Sequence, residues 1–435
     1  MMSGLVIQSF LGFFFLIALA FCFSENRKAI NWKLVLTAFI MQNILFLLIR
    51  YVPAVSSVLQ LLSAGLLKFM DYANEGAGFV FGSLVDKSKY GFVFALVVVP
   101  TIIFFGSVIS LLYFFGVMQR VIVLLAFLLR KTIRLSGVES LVVIADIFLG
   151  QSEGPMVIGP YVAKMTRSEL ACAFVAGLAN LSGSTLGIYL SFLGGGDHAK
   201  ELIFAQSLLT ATFMNATSAI IFAKIFFPET EYDKIMDSAH IKVGGMQVDS
   251  AIDAIMHGAF TGVKIGVAIC AALMAVIPLV HAIDGILFWV GDIAHLNTWV
   301  QSMSNKAFDG LSLEFLFGLI FRFFAFFMGI SWNETIQVGS LLGQKVAINE
   351  FVAYMSLGKM EAAGALSANS IFISTFALAS FSNFSSIGIS MGAFSALAPG
   401  RQSDLASMGF KALTAAIMAG FMTATVAGFW HGIFG

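Results

Sequence analysis

The chain has 435 residues, of which 59% are hydrophobic and 14% aromatic, with 46 phenylalanines. Only 11% are charged, against about 25% in a typical soluble domain, and Lys+Arg equals Asp+Glu at 24 each. These values exclude a soluble globular enzyme, a disordered protein and a nucleic-acid binder, and leave an all-α polytopic membrane protein. The apolar runs are continuous rather than alternating, which argues against a membrane barrel. Cys22, Cys172 and Cys270 each sit within apolar runs and imply neither a disulfide framework nor a metal cluster.

A membrane span needs about 20 predominantly apolar residues. Stretches 5–23, 34–49, 91–119, 170–193, 202–227, 258–291, 366–398 and 411–430 qualify, so about eight transmembrane helices are predicted. The first lacks a basic leader and runs into further apolar sequence, so it is read as a span and not as a signal peptide. The loop Ser24–Lys28 is basic, with Lys33 close behind, and excess Lys/Arg marks the cytoplasmic side. Both termini are then expected outside. This orientation places 15 of the 24 basic residues inside, among them Arg120, Arg130, Arg167, Lys224, Arg401 and Lys411.

Three regions do not read as ordinary spans. Residues 117–134 are apolar with Arg120, Arg130, Lys131 and Arg134 at their ends, the pattern of an interfacial amphipathic helix. Residues 310–330 are Phe-rich but carry Glu314 and Arg322, and are read as a second amphipathic helix. Residues 239–258 carry His240, Lys242, Asp249, Asp253 and His257, and are read as a surface helix.

The informative polar residues interrupt apolar stretches. Asp146, Gly150, Gln151, Ser152, Glu153, Gly154 and Pro155 fall together, with Pro160 close behind. Proline cannot continue a helix without losing backbone hydrogen bonds. Short half-spans on either side predict a re-entrant hairpin, whose irregular tip is tolerated only where protein or a wet cavity covers it. A second polar knot, Gly343-Gln344-Lys345 through Asn349-Glu350, lies between half-spans 335–342 and 351–357. Each hairpin precedes a span broken around an asparagine: Asn180 with Ser182, Ser184 and Thr185, and Asn383 with Ser382, Ser385 and Ser386. Each half also carries a Glu (Glu139, Glu334) about ten residues before a Leu-Gly-Gln. The shared order of span, amphipathic helix, hairpin, broken span and span predicts an inverted repeat with a binding site between its halves.

A lone charge at mid-membrane costs about 2.5–3.5 kcal/mol even on the insertion scale. Asp146, Glu153 and Glu350 are therefore expected to face one shared polar pocket. The six histidines are scattered, and no Walker, His-Glu-x-x-His or nucleophile-elbow motif occurs. A secondary transporter without enzymatic activity is the reading these residues support. A channel-like facilitator is the alternative. A receptor or enzyme would need a soluble domain, and the longest polar stretch, about 228–257, is too short to fold alone.

At these breaks the chain resembles the concentrative nucleoside transporters over nearly its full length. The matching stretches include Phe23 to Trp32, Pro100 to Phe105, Gly116 to Gln119, Gly150 to Glu153, Lys164 to Leu170, Phe227 to Glu231, Asn349 to Tyr354, Asn383 to Ile389 and Leu397 to Pro399, in one order. The resemblance implies a bacterial inner-membrane homotrimer that imports nucleosides with a coupling cation by an elevator-like motion. It implies a scaffold at 1–115 and 259–330. The mobile transport domain would cover 116–258 and 331–435, with hairpins near 136–165 and 331–363. It assigns the base to Gln151, Ser152, Glu153 and Thr185, and the ribose to Glu350, Asn383 and Ser386 with Phe381 nearby. It assigns the cation to Asp146, the Leu149 carbonyl, Asn180, the Leu181 carbonyl and Ser184, with no other cofactor.

The chain departs from the family pattern at several points. Sodium-coupled members typically carry Asn where Asp146 stands, so the coupling ion is read as Na+ or H+. Ile158-Gly159-Pro160 replaces the usual Val-Arg-Pro. Asn215-Ala216-Thr217 stands where a Pro is common, so a helix kink there is not expected. Ser152 and Thr185 alter the polarity of the base pocket and leave purine against pyrimidine preference open. A related carrier for a nucleobase or another hydroxylated heterocycle is the runner-up.

Overall fold

The computed structural model describes residues 2–91, 93–194, 197–235, 244, 248–304 and 306–434, with the side chains of residues 2, 3, 87, 88 and 184 outside that description. The regular elements among them are all helical. The chain opens with α1 (Met2–Phe23), α2 (Trp32–Tyr51), α3 (Pro53–Phe81) and a single turn, α4 (Lys87–Tyr90). Next come α5 (Phe94–Phe114), α6 (Val117–Ile133), α7 (Gly137–Phe148), a 3-10 segment (Gly154–Lys164), α8 (Arg167–Ala179), α9 (Gly183–Leu193) and α10 (His198–Phe226). The second half holds α11 (Ala251–Ile293), the short α12 (Leu296–Met303), α13 (Leu313–Phe327), α14 (Thr335–Ala347), α15 (Glu350–Ala362), α16 (Ala368–Leu378), α17 (Phe384–Leu397) and α18 (Gln402–Phe434).

Six of the predicted spans are single helices: α1, α2, α5, α10, α11 and α18. The other two are divided at their polar breaks, 170–193 into α8 and α9, and 366–398 into α16 and α17. Helix α3 is an addition. It is long and apolar enough to cross a membrane, yet Lys68, Asp71 and Glu75 on its exposed surface conceal it in the sequence. The expected surface helix at 239–258 is only partly described. Residues 251–258 form the first turns of α11, capped by Ser250, whereas 239–243 and 245–247 lie outside the described residues. Helix α10 contains no proline and runs unbroken through Asn215.

Both predicted hairpins form as helix–turn–helix pairs whose arms pack together: α7 with the 3-10 segment, and α14 with α15. The second turn is tighter than the polar knot implied. Gly343, Gln344 and Lys345 are helical, and α14 continues to Ala347. Only Ile348 and Asn349 remain to reverse the chain, and Asn349 at once caps α15 by accepting from the Val352 N–H at 3.0 Å.

The two halves repeat one order of elements and run in opposite directions. Helices α5 and α11 are antiparallel, because Gly258 meets Gly106, Gly262 meets Ile103 and Gly266 meets Val99. Glycine at every fourth position lets these backbones approach closely. Helices α10 and α18 are antiparallel as well. The Glu25 N–H donates to the Phe226 carbonyl at 2.9 Å and its carboxylate pairs with Lys411, while Lys200 and His431 share a cavity at the opposite end. The start of α1 and the end of α18 lie at that second end, where Val6 packs on Gly432 and Tyr51 on Phe434. The loop after α1 sits at the first end, where Arg167 grips Glu25 through two nitrogens at 2.9 and 3.1 Å.

Candidate functional site

Breaking a helix leaves orphan N–H and C=O groups, and these position the site. In the second broken pair the Asn383 side-chain oxygen caps α17. It accepts from the Ser386 N–H at 2.9 Å and from the Ser385 hydroxyl at 2.7 Å. With its oxygen committed, the Asn383 amide must aim its NH2 elsewhere, and it donates to Glu350 Oε2 at 3.0 Å. Tyr189, on α9 of the first half, donates its hydroxyl to Glu350 Oε1 at 3.1 Å. Glu350 is 2% exposed, so a buried carboxylate is held by one donor from each half.

The tip of the first hairpin reaches across in return. Gln151 donates through Nε2 to Ser386 Oγ at 3.2 Å and accepts at Oε1 from the Ser390 hydroxyl at 3.0 Å. Gly150 allows the approach, having φ +79° and standing so close to Ser182 that an added Cβ would lie 2.6 Å from the serine Cβ. That same Cβ would lie 3.6 Å from the Phe381 ring, so Phe381 covers the tip. The two broken pairs also touch directly, the Phe381 N–H donating to the Asn180 carbonyl at 3.4 Å. Thr185 is buried and accepts from the Ser182 hydroxyl at 3.3 Å. Ser152 and Glu153 are half-buried. Glu153 lies in electrostatic reach of Tyr113 on α5 and makes no hydrogen bond to the Glu350 cluster among the described residues.

Asp146 stands apart from this cluster. It is fully buried, and neither carboxylate oxygen has a hydrogen-bond partner among the described residues. Asn180 is equally buried. Its Nδ2 donates to the Ala176 carbonyl at 3.2 Å, while its Oδ1 is unpartnered. Glycines surround the aspartate. A Cβ at Gly154 would strike Oδ1, and one at Gly177 would sit 3.7 Å from Oδ2. An isolated ionised carboxylate is prohibitively expensive in an apolar interior, so such a group takes a cation or holds a proton. Free oxygens from Asp146 and Asn180 are the donor type a hard cation prefers. Leu149 and Leu181 are buried on either side of this region, and the Ser184 side chain lies outside the described residues.

Four contributors were not read from the sequence. Tyr189 and Ser390 lie one helical turn beyond Thr185 and Ser386, and that spacing is the signal that could have found them. Lys345, fully buried on α14, donates to the Ala377 carbonyl at 2.9 Å and to Ser380 Oγ at 3.0 Å. It thereby satisfies the free C-terminal end of α16, where the helix dipole favours a cation. Asn215 donates to the next orphan carbonyl, that of Ala379. The polar residue at the usual proline position therefore supports the break in the opposite half.

Known proteins resemble this chain over nearly its full length. The family model described as the Na+ dependent nucleoside transporter C-terminus matches residues 207–428, and the corresponding N-terminus model matches 11–84. A model described as nucleoside recognition matches 95–196, which contains the first hairpin and broken span. An uncharacterized transporter of Haemophilus influenzae is 37% identical over 98% of both chains. Sodium/nucleoside cotransporter 1 of Mus musculus is 33% identical over 97% of this chain, which spans 63% of that protein. The structure of CNTnw in an inward-facing substrate-bound state superposes with a TM-score of 0.87, at 38% identity over 98% of this chain and 99% of that one. An outward-facing CNTnw structure gives the same TM-score at 36% identity over 100% of both chains. The chain belongs to the family of Na+-dependent, concentrative nucleoside transporters.

Proposed function

We propose that the protein is a cation-coupled symporter that imports nucleosides across a bacterial inner membrane, working as a homotrimer. The observation that carries this reading is the buried cluster in which Tyr189 and Asn383, one from each half, converge on Glu350. Ribose hydroxyls are donors, and an ionised Glu350 only accepts, so a sugar would replace these two donors in kind. Gln151, Ser152, Glu153 and Thr185 would meet the base, because an amide and hydroxyls pair with both donor and acceptor edges. Phe381 would lie beside the substrate, and Asn383 and Ser386 would complete the ribose contacts.

Asp146 would take the coupling cation, either Na+ or H+, with Asn180, Ser184 and the carbonyls of Leu149 and Leu181 contributing oxygens. Movement would carry residues 116–258 and 331–435 as one domain against a scaffold of 1–115 and 259–330. The contrast in burial supports this division. Helices α10 and α18 are buried over most of their length, whereas α11 buries little beyond its glycine stripe.

Reconstitution into liposomes tests the reading. Labelled uridine uptake is measured under imposed sodium and proton gradients, with nucleosides and free bases as competitors. Accumulation against a gradient, blocked by nucleosides, is expected. Non-saturable flux would indicate a facilitator instead. Inhibition by free bases as strong as that by nucleosides would indicate a base carrier. Full uptake in sodium-free buffer would assign the coupling to protons, and uptake that requires sodium at fixed pH would assign it to sodium.

A further inference from the structure

A cavity lies away from the Glu350 cluster, at the end of the molecule where α1 begins and α18 ends. It encloses about 370 Å³ between α2, α3, α10, α16 and α18. Its body is apolar, formed by Phe46, Leu59, Phe204, Ile371 and Phe376, and its rim is basic. Three cationic or protonatable side chains, Arg50, Lys200 and His431, stand there against the single carboxylate of Glu361. Lys200 is paired with Glu361 at 2.7 Å, so that acid is already engaged. Arg50 has no carboxylate within 4.0 Å among the described residues, and it lies in electrostatic reach of His431, which stacks on Phe372 at 4.4 Å.

An unpaired guanidinium at the mouth of an apolar cavity favours an anion, and it binds phosphate through paired hydrogen bonds. The greasy body beneath favours a hydrocarbon chain, worth about 0.8 kcal/mol for each CH2 buried. We propose that this cavity holds an anionic amphiphile, a phospholipid whose phosphate meets Arg50 and whose acyl chain lies along Phe46, Phe204 and Phe372. Its walls come from both the scaffold and the mobile domain of the transport reading, so the lipid would bridge the two. Its binding can nevertheless be measured without any transport.

The test uses the full-length protein, delipidated in a neutral maltoside detergent and titrated with phosphatidylglycerol, with phosphatidylcholine of the same chain length, or with inorganic phosphate alone. Native mass spectrometry counts the retained lipid. The wild type should hold phosphatidylglycerol about tenfold more tightly than phosphatidylcholine, the scale of a charge-assisted contact. Arg50→Gln should abolish that preference. Ser207→Phe, which fills the cavity without changing charge, should weaken phosphatidylglycerol binding, whereas Arg130→Gln on the exposed face of α6 should leave it intact. Retained preference in Arg50→Gln would overturn the proposal, as would an equal loss in Arg130→Gln, which marks non-specific annular lipid. Displacement of the lipid by inorganic phosphate at equal concentration would also overturn it, because the site would then belong to a soluble anion. Arg50 is exposed at a helix end, so its substitution decides the matter even if Ser207→Phe does not fold.

Discussion

One side chain, Asn383, does two jobs with its two ends: it caps α17 and it orients Glu350. Asn383→Ala should therefore both loosen the helix start, by about 1 kcal/mol, and release the carboxylate. Glu350→Gln preserves shape but removes the charge. A hydrogen bond to a charged group is worth about 1.5–3 kcal/mol, so losing two to a ribose should cut uptake about 100-fold or more while the protein still inserts and assembles. Initial rates of labelled uridine uptake, scaled to protein recovered, check this. Outside the spans, the Arg167 hydrogen bond holds the Glu25 carboxyl below its usual 4.5. A depressed folded pKa stabilises fully above the unfolded value and is lost as pH falls through the folded one. The melting difference between wild type and Glu25→Gln should thus be present at neutral pH and vanish in acid below that range. At this scale the sequence pointed to Glu350, Asn383 and Gln151, which the structure draws toward one cluster, because a polar residue in an apolar run needs a reason. Tyr189 passed for core and is marked only by its spacing from Thr185, and no local pattern showed that Lys345 would serve a helix end and not a turn.

At the scale of elements, the hairpin tips and broken pairs were legible because proline, glycine and asparagine leave a mark where helices stop. Helix α3 was not, since three charges on one exposed face lower its apolar signal without preventing a helix. The length of α14 was missed for the complementary reason: Gly343-Gln344-Lys345 looks like a turn, yet packing on α13 and the Ala377 carbonyl holds it helical. Two substitutions probe these elements. Gly150→Ala forces a side chain into left-handed backbone, at about 1–2 kcal/mol, and presses it on Ser182. A lowered melting temperature together with reduced uptake is expected. Gly262→Leu should drive α11 off Ile103 and lower the yield of folded protein, as read by gel filtration in detergent.

For the whole molecule, the duplicated order of elements was visible only as a faint echo, with Glu139 and Glu334 each preceding a Leu-Gly-Gln. The structure gives both glutamates a related place. Glu139 pairs with Lys224, which also donates to Ser168 near the start of the first broken pair. Glu334 accepts from the Ser367 N–H at 2.9 Å at the start of the second. Opposed direction brings the first tip onto α17 and the second hairpin onto α9, an arrangement no local pattern encodes. The assembly should have the mass of three chains by native mass spectrometry in detergent, and a monomer would remove the trimer from the account. The most direct test of the shared site is calorimetric titration of uridine into purified wild type and Glu350→Gln, each confirmed as folded. The account predicts saturable binding to the first and at least a hundredfold loss in the second, whereas equal binding to both would contradict it.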